Sequence, residues 1–308
     1  MNDVLRWLTR PPPALDGPTL EAWWPGQWQR TAAMPAPIDR AFAGGALADR
    51  LGYAFAAGYQ AALTALFGPP HSEGAIASLC ATEEGGSHPK VLTTTVERRG
   101  DTLVVNGTKT WATMAPIART LYVVAVAGEG EGGRRRLQIV RVPAAAAGLT
   151  LEARPPVPMA PEVTHAFLRL EGVALPLEAG LEGDGYERYV KPFRTVEDVH
   201  VLAAAVGYLA AAGARRAWPE PLREGLLGLA LSLRGLAALD PSAPETHLAL
   251  AGSVALTRRL CDECDAAWQA APDDEAARWQ RDRVLLNVAN SARQKRRESA
   301  WRALSVRT

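Results

Sequence analysis

The chain has 308 residues, 48% of them apolar and 22% charged, with a formal net charge of +1. That is the balance of a globular protein of two or three packed units, and it excludes the strong basic field of a protein that binds nucleic acid or an anionic membrane surface. Three cysteines are too few for a secreted disulfide framework, and with no signal-peptide pattern and no apolar run of bilayer length a cytoplasmic protein without a membrane span is expected.

Residues 1–77 read as a helical first domain. Trp23, Trp24 and Trp28 fall in a stretch punctuated by proline and glycine, where they are expected to cover a core. From 46 to 67 the residues Leu51, Phe55, Tyr59, Leu63 and Leu66 recur at three- or four-residue spacing. That pattern predicts one helix, stopped by Gly68-Pro69-Pro70.

Residues 78–184 change to β character. The threonine- and valine-rich stretch 91–96 predicts a strand. Arg99-Gly100-Asp101 predicts a turn, 103–105 a further strand, and Asn106-Gly107 a hairpin turn. The nearly continuous apolar run 121–127 suits a strand buried on both faces. A flexible loop at 128–133 and strands at 137–142 and 166–170 follow. Many short strands with frequent turns imply a small β-barrel or sandwich.

Residues 185–308 return to helix. An alanine-rich helix over 196–218 is broken by Pro219 and Pro221. A second is expected over 222–239, ended by Asp240-Pro241, and a third over 246–271. Asp273 or Asp274 caps a fourth that runs to about Leu304. Four antiparallel helices with short connections make a four-helix bundle. Cys261 and Cys264 form a lone C-x-x-C. A zinc site needs four ligands, so these two are expected as small apolar residues one helical turn apart, and no metal is expected.

Three local stretches carry a specific resemblance. Leu79-Cys80-Ala81-Thr82-Glu83-Glu84-Gly85-Gly86-Ser87 is similar to Leu-Thr-Glu-Pro-x-Ala-Gly-Ser-Asp, one residue shorter, with Glu84 for the proline and His88 for the final aspartate. Leu103 to Thr113, containing Asn106-Gly107-Thr108-Lys109-Thr110-Trp111, follows Leu-Asn-Gly-x-Lys-x-Trp-Ile-Thr. Val173-Ala174-Leu175-Pro176 and Gly183-Asp184-Gly185 follow Phe-x-x-Val-x-Val-Pro and the loop after it. In this order they resemble the acyl-CoA dehydrogenase family. The resemblance implies a mainly α fold with a central β-domain: an N-terminal helical domain (1–77, shortened), a middle β-barrel (78–184) and a C-terminal four-helix bundle (185–308).

The family relationship implies an FAD site. A flavin needs donors along its polar edge in a dry pocket. Thr82 and Thr113 stand where the family places such donors, and Trp111 where an aromatic covers one side of the ring system. Gly85-Gly86-Ser87 is an N–H-rich turn suited to a diphosphate. Taken singly, the threonines read equally as strand residues and Trp111 as a core aromatic. Arg215, Trp218 and Pro221-Leu222 fall on the family's Arg-x-x-Phe-Gly-x-Pro-Ile segment, which helps hold FAD across a subunit interface. Pro219 replaces the glycine, and Leu226 stands where a glutamine is usual. A solvated helix face explains Arg215 and Arg216 as well.

By the same resemblance Glu197, counted back from Gly207, falls where a minority of the family carry the catalytic base on the first bundle helix. A base for an acyl α-proton needs a raised pKa and shelter from water. A helix-start acid interacting with the macrodipole is the plainer reading, and Asp198 suits it equally. The usual Tyr-Glu-Gly-Thr segment, which supplies both a base and an oxyanion donor, occurs nowhere in the sequence. The expected activity is α,β-dehydrogenation of an acyl thioester on CoA or a carrier, with an electron-transfer flavoprotein as acceptor and a homo-oligomer as the assembly. The alternative is a non-catalytic paralogue that pairs with another subunit or binds an acyl ligand.

Overall fold

The computed structural model describes residues 2–68, 73–130 and 133–305. Pro69 and Pro70 of the expected helix stop, His71 and Ser72 after it, and Glu131 and Gly132 of the expected loop lie outside them. The chain forms two compact units: residues 1–65, 157–162 and 194–308 in one, and 66–156 with 163–193 in the other. The helices expected at the two ends of the chain therefore share a unit.

In the helical unit α1 spans Asn2–Thr9, α2 Leu20–Thr31, α3 Pro37–Leu47 and α4 Leu51–Phe67. The tryptophan-rich stretch is helical: Thr19 caps α2, and buried Trp23 stacks on Tyr53 with ring centroids 5.0 Å apart. The single helix expected over 46–67 is two, because Ala48 leaves helical geometry with ψ 147. Pro37 opens α3, where its missing N–H has no intrahelical partner to lose.

The long helix α5 spans Lys191–Arg215 and starts before the expected residue 196. Its backbone lies against α3 and α4 at glycines. A Cβ on Gly45 would run into the Ala204 carbonyl, one on Gly207 into the Phe42 carbonyl, and one on Gly58 would come within 2.7 Å of the His200 oxygen. The stretch Tyr186–Arg215 is long and apolar enough to cross a bilayer by length and composition, which corrects the sequence reading. Of its apolar window 89% is buried inside the protein, as in a core helix.

Helix α6 spans Glu220–Leu236 and α7 Pro244–Ala270. Arg234 on α6 holds Asp39 on α3 through two hydrogen bonds of 2.7 and 3.0 Å. Cys261 and Cys264 are free thiols one turn apart in α7, and burial pushes Cys261 up to about 12. The fourth bundle helix is broken. Asp273 caps α8 (Asp274–Asp282) by accepting the Ala276 N–H, a 3-10 turn covers Arg283–Asn287, and α9 runs Asn290–Ser305. The break falls at buried Asp282, whose carboxylate accepts the Ala160 N–H at 2.7 Å and an Arg281 donor at 2.6 Å.

The other unit is built on one seven-stranded sheet: β1 Ala77–Cys80, β2 Thr95–Arg99, β3 Thr102–Thr113, β4 Thr120–Glu129, β5 Arg135–Pro143, β6 Leu149–Ala153 and β7 His165–Pro176. The order is β1-β4-β2-β3-β7-β6, with β5 on the other edge of β4. Residues 121–125 of β4 are all buried, as their apolar run requires. The strand expected over 91–96 starts only at Thr95, after a 3-10 turn at Pro89–Val91. The β2–β3 hairpin turns at Arg99-Gly100-Asp101, as expected. Asn106-Gly107 is not a second turn. It is a bulge inside β3, where the register against β7 shifts between Val105 and Gly107. The Asn106 side chain accepts the Gly172 N–H at 2.7 Å, which keeps the strand paired where a turn would release it.

Candidate functional site

After β1 the chain crosses to the second half of β3. Thr82 bridges Trp111, and the Thr110 N–H donates to the Thr82 carbonyl at 2.9 Å. Glu83 and Gly86 then exchange two backbone hydrogen bonds of 2.9 Å, closing a tight turn. Gly86 has φ 104, a conformation that favours glycine, and there is open space where its Cβ would be. Ser87 follows, half-buried.

Glu83 locks this turn from below. Its carboxylate accepts the Thr93 N–H (2.6 Å), the Thr93 hydroxyl (2.7 Å), the Thr94 N–H (3.1 Å) and Lys109 Nζ (2.6 Å). Lys109 is fully buried and also donates to the Val124 carbonyl at 2.6 Å. Burial pushes the Glu83 carboxyl up, but the ammonium of Lys109 and the hydrogen bonds outweigh it and hold the group at about 2. The pair thus joins the Thr82–Ser87 turn, β3 and β4. Both residues stood in the motifs, and neither drew a role. The available signal was a lysine between Thr108 and Thr110 in a strand whose other inward positions are apolar.

Trp111 is half-buried on β3, with Thr113 two residues on. The guanidinium of Arg154 lies over the Trp111 ring at 4.7 Å and over Phe167 at 4.1 Å, and donates to the Thr110 carbonyl at 2.9 Å. His165 packs tilted against Trp111 at 4.4 Å. Burial, then the charge of Arg154, pushes this imidazole down to about 4. The Thr164 hydroxyl is buried without a hydrogen-bond partner. Those of Thr82 and Thr113 are half-buried and have no partner among the described residues. The uncommitted hydroxyls of Thr82, bridged to Trp111, and of Thr113, with the half-buried indole and its neighbouring guanidinium, fit the donor edge, covering ring and charge that a flavin requires. Sequence reasoning missed Thr164, His165 and Arg154, since nothing in their immediate sequence marks them.

The remaining candidates lie in the helical unit. Glu197 sits in the second turn of α5 and is half-buried. Burial, and then the neighbouring Asp198 charge, pushes its carboxyl up to about 7, against the pull of Arg194, Arg293 and Arg296. Asp198 itself is buried and clamped by Arg293 at 2.8 and 3.0 Å and by Arg296. The two adjacent acids therefore differ: Asp198 is paired and Glu197 is not ion-paired among the described residues. Arg215 donates to the Ala46 carbonyl at 3.2 Å and lies 3.6 Å from Glu275. Trp218 is buried, edge-on to Trp268 at 5.1 Å. Thr82, Gly86, Ser87, Trp111 and Thr113 thus share the sheet unit, while Glu197, Arg215 and Trp218 belong to the helical one.

Residues 78–173 match the family model of the acyl-CoA dehydrogenase middle domain. A probable acyl-CoA dehydrogenase of Bacillus subtilis, YngJ, is 31% identical over 133 residues, 42% of this chain and 33% of that protein. The chain thus aligns with about a third of the length of this curated relative. Among solved structures, butyryl-CoA dehydrogenase from Megasphaera elsdenii superposes with a TM-score of 0.67 at 16% identity, covering 86% of this chain and 81% of that one. The prolyl acyl carrier protein oxidase AnaB gives 0.68 at 17% identity over 98% and 97%. PigA with FAD and proline gives 0.69 at 16% identity over 100% and 97%. These likenesses establish the acyl-CoA dehydrogenase-like fold that the motifs implied.

Proposed function

We propose, from the premise that this chain belongs to the acyl-CoA dehydrogenase family through its middle domain, that it is an FAD-dependent oxidoreductase acting on an acyl thioester. The observation that carries the reading is the Thr82–Trp111 bridge, which sets a half-buried indole beside Thr82, with Thr113 two residues along the same strand and neither hydroxyl committed among the described residues. FAD, when bound, supplies the hydride acceptor. Thr82 and Thr113 donate to its polar edge, Trp111 covers one side of the ring system, and the Gly86-Ser87 turn offers N–H groups and a hydroxyl to the diphosphate. Arg154 adds a fixed positive charge beside Trp111, where negative charge on the cofactor is stabilised.

Glu197 is the proposed base, taking the α-proton of the thioester on its carboxylate as the β-hydride leaves. A carboxyl near 7 is half ionised at neutral pH and basic enough for that transfer. Arg215 and Trp218 are proposed contacts for FAD held by a neighbouring subunit in an oligomer. An electron-transfer flavoprotein is the proposed acceptor, and the cytoplasm the proposed location. The thioester is carried on CoA or on a carrier protein; the neighbour described as a prolyl acyl carrier protein oxidase supports the second.

One observation favours the alternative of a non-catalytic relative. Arg215 is held by Glu275 and the Ala46 carbonyl, and Trp218 is packed on Trp268, so both have structural work of their own. Calorimetry with FAD separates the readings. Binding that weakens in Trp111→Ala supports the flavoenzyme, and no binding supports the relative.

A further inference from the structure

Helices α7 and α9 leave an open groove of about 560 Å³ between them. Leu248, Ala251, Gly252, Val254 and Ala255 line it from α7, and Arg293, Gln294, Arg297 and Trp301 from α9. Gly252 has open space where its Cβ would be, so the floor is shallow and small. Trp301 is 54% exposed at one end, unusual for so large an apolar side chain.

The charge on this groove is one-sided. Among the described residues no carboxylate lines it, while Arg258, Arg293 and Arg297 do. Arg258 donates to Asn290 Oδ1 at 2.6 Å, a neutral acceptor, and forms no ion pair among the described residues. Arg293 shares the single carboxylate of Asp198 with Arg296, so that trio keeps a net positive charge. Arg297 is exposed and has no ion pair among the described residues. Helix α9 also carries Lys295 and Arg302 against one acid, Glu298. This local excess stands on a chain whose formal net charge is only +1.

We propose that the α7–α9 groove is a docking surface for an acidic amphipathic helix of a partner protein: the acyl carrier protein that delivers the thioester, an identification that rests on the function proposed above. From Asn290 to Trp301 the groove follows α9 for about 16 Å at the usual helical rise, close to the length of three helical turns. Its small-residue floor admits a helix closely, its arginines meet carboxylates bidentately, and Trp301 supplies an aromatic anchor. A second copy of this chain set groove to groove would bring the arginines of one against those of the other.

The test needs neither flavin nor turnover, so its failure is separable from failure of the enzymatic reading. The full chain is titrated with a bacterial apo acyl carrier protein, which lacks the phosphopantetheine arm, by calorimetry at low and at physiological salt. Micromolar binding that weakens with salt, and that falls at least tenfold in R258E/R297E and in Trp301→Ala, is expected. Both arginines are exposed, and R10E/R30E, an equal charge change elsewhere, should bind as the parent does. Light scattering of the parent and R258E/R297E should give the same mass. No binding at 100 µM or equal binding by R258E/R297E overturns the proposal. So does binding of free CoA alone, or a change of oligomeric state in R258E/R297E.

Discussion

Lys109 and Glu83 meet at 2.6 Å with both side chains buried, one on β3 and the other in the turn that brings Thr82 to Trp111. Removing one partner leaves a buried charge without its counter-ion. Lys109→Met is therefore expected to destabilise the protein by about 3–5 kcal/mol, as broken buried pairs do. Glu83→Gln/Lys109→Met, which removes both charges, should recover much of the loss. Urea unfolding of the parent and the two variants checks this, and equal stability of the parent and Lys109→Met would refute a stabilising role for the pair.

The bulge in β3 makes a second claim. Gly107 has φ 144, and a Cβ there would sit 2.5 Å from the Thr94 Cα. Gly107→Ala should lose about 1–3 kcal/mol through backbone strain, and more if β2 must move. Gly100→Ala, at φ 61 with open space around its Cβ, should lose less. Thermal unfolding ranks the two, and the reverse order would contradict the bulge assignment.

Acid sensitivity follows from the histidines. Burial holds both His165 and His200 down at about 4, below the ordinary 6.5. Between pH 6.5 and 4 the unfolded chain binds protons at these sites that the folded chain does not. These two sites should therefore lower stability as pH drops across that window, against the smaller opposing contribution of Glu197, whose carboxyl, raised to about 7, binds its proton first in the folded chain. Below about 4.5 Glu83 adds to the loss, since its folded pKa of about 2 lies under the ordinary carboxylate value. Nuclear magnetic resonance should show the two imidazoles neutral at pH 6. Titration of both near 6.5 would exclude this origin.

What the sequence made legible was what local chemistry decides. The apolar run at 121–127 could only be a strand covered on both faces, and β4 is that strand. Arg99-Gly100-Asp101 turned because Gly100 takes a positive φ, and Asp273 capped because its side chain reaches the Ala276 N–H. Asn106-Gly107 misled because the same dipeptide serves a turn or a bulge, and the choice was made by a distant partner, the Gly172 N–H on β7. The end of α8 was hidden likewise, since Asp282 is bound by the Ala160 N–H. The candidate site shows the same division. Thr82 and Trp111 were expected from their motifs, and the fold bridges them. Arg154, Thr164 and His165 join them only through the pairing of β3 with β7 and the chain after β6.

Cofactor affinity tests the sheet-unit site by itself. Trp111→Ala should weaken FAD binding by about 1–2 kcal/mol through loss of a covering aromatic. Arg154→Ala should weaken it as well, since it removes both a charge and the cation stacked on Trp111. Arg154→Lys, which keeps charge but not the planar stack, should fall between. Fluorescence titration with FAD reads all three, and an unchanged affinity in both alanine variants would remove these residues from the site.

The central claim is that this chain oxidises an acyl thioester with Glu197 as the base. Anaerobic mixing of the FAD-loaded protein with acyl thioesters of increasing chain length, on CoA and on a carrier protein, measures it directly by bleaching of the flavin band. The bleaching rate should rise with pH through about 7, as Glu197 loses its proton, and level off above. Glu197→Gln should keep FAD and lose the bleaching, while Asp198→Asn should not reproduce that loss with its pH dependence. Flavin that no thioester bleaches, or bleaching that survives in Glu197→Gln with its pH profile intact, would contradict the account.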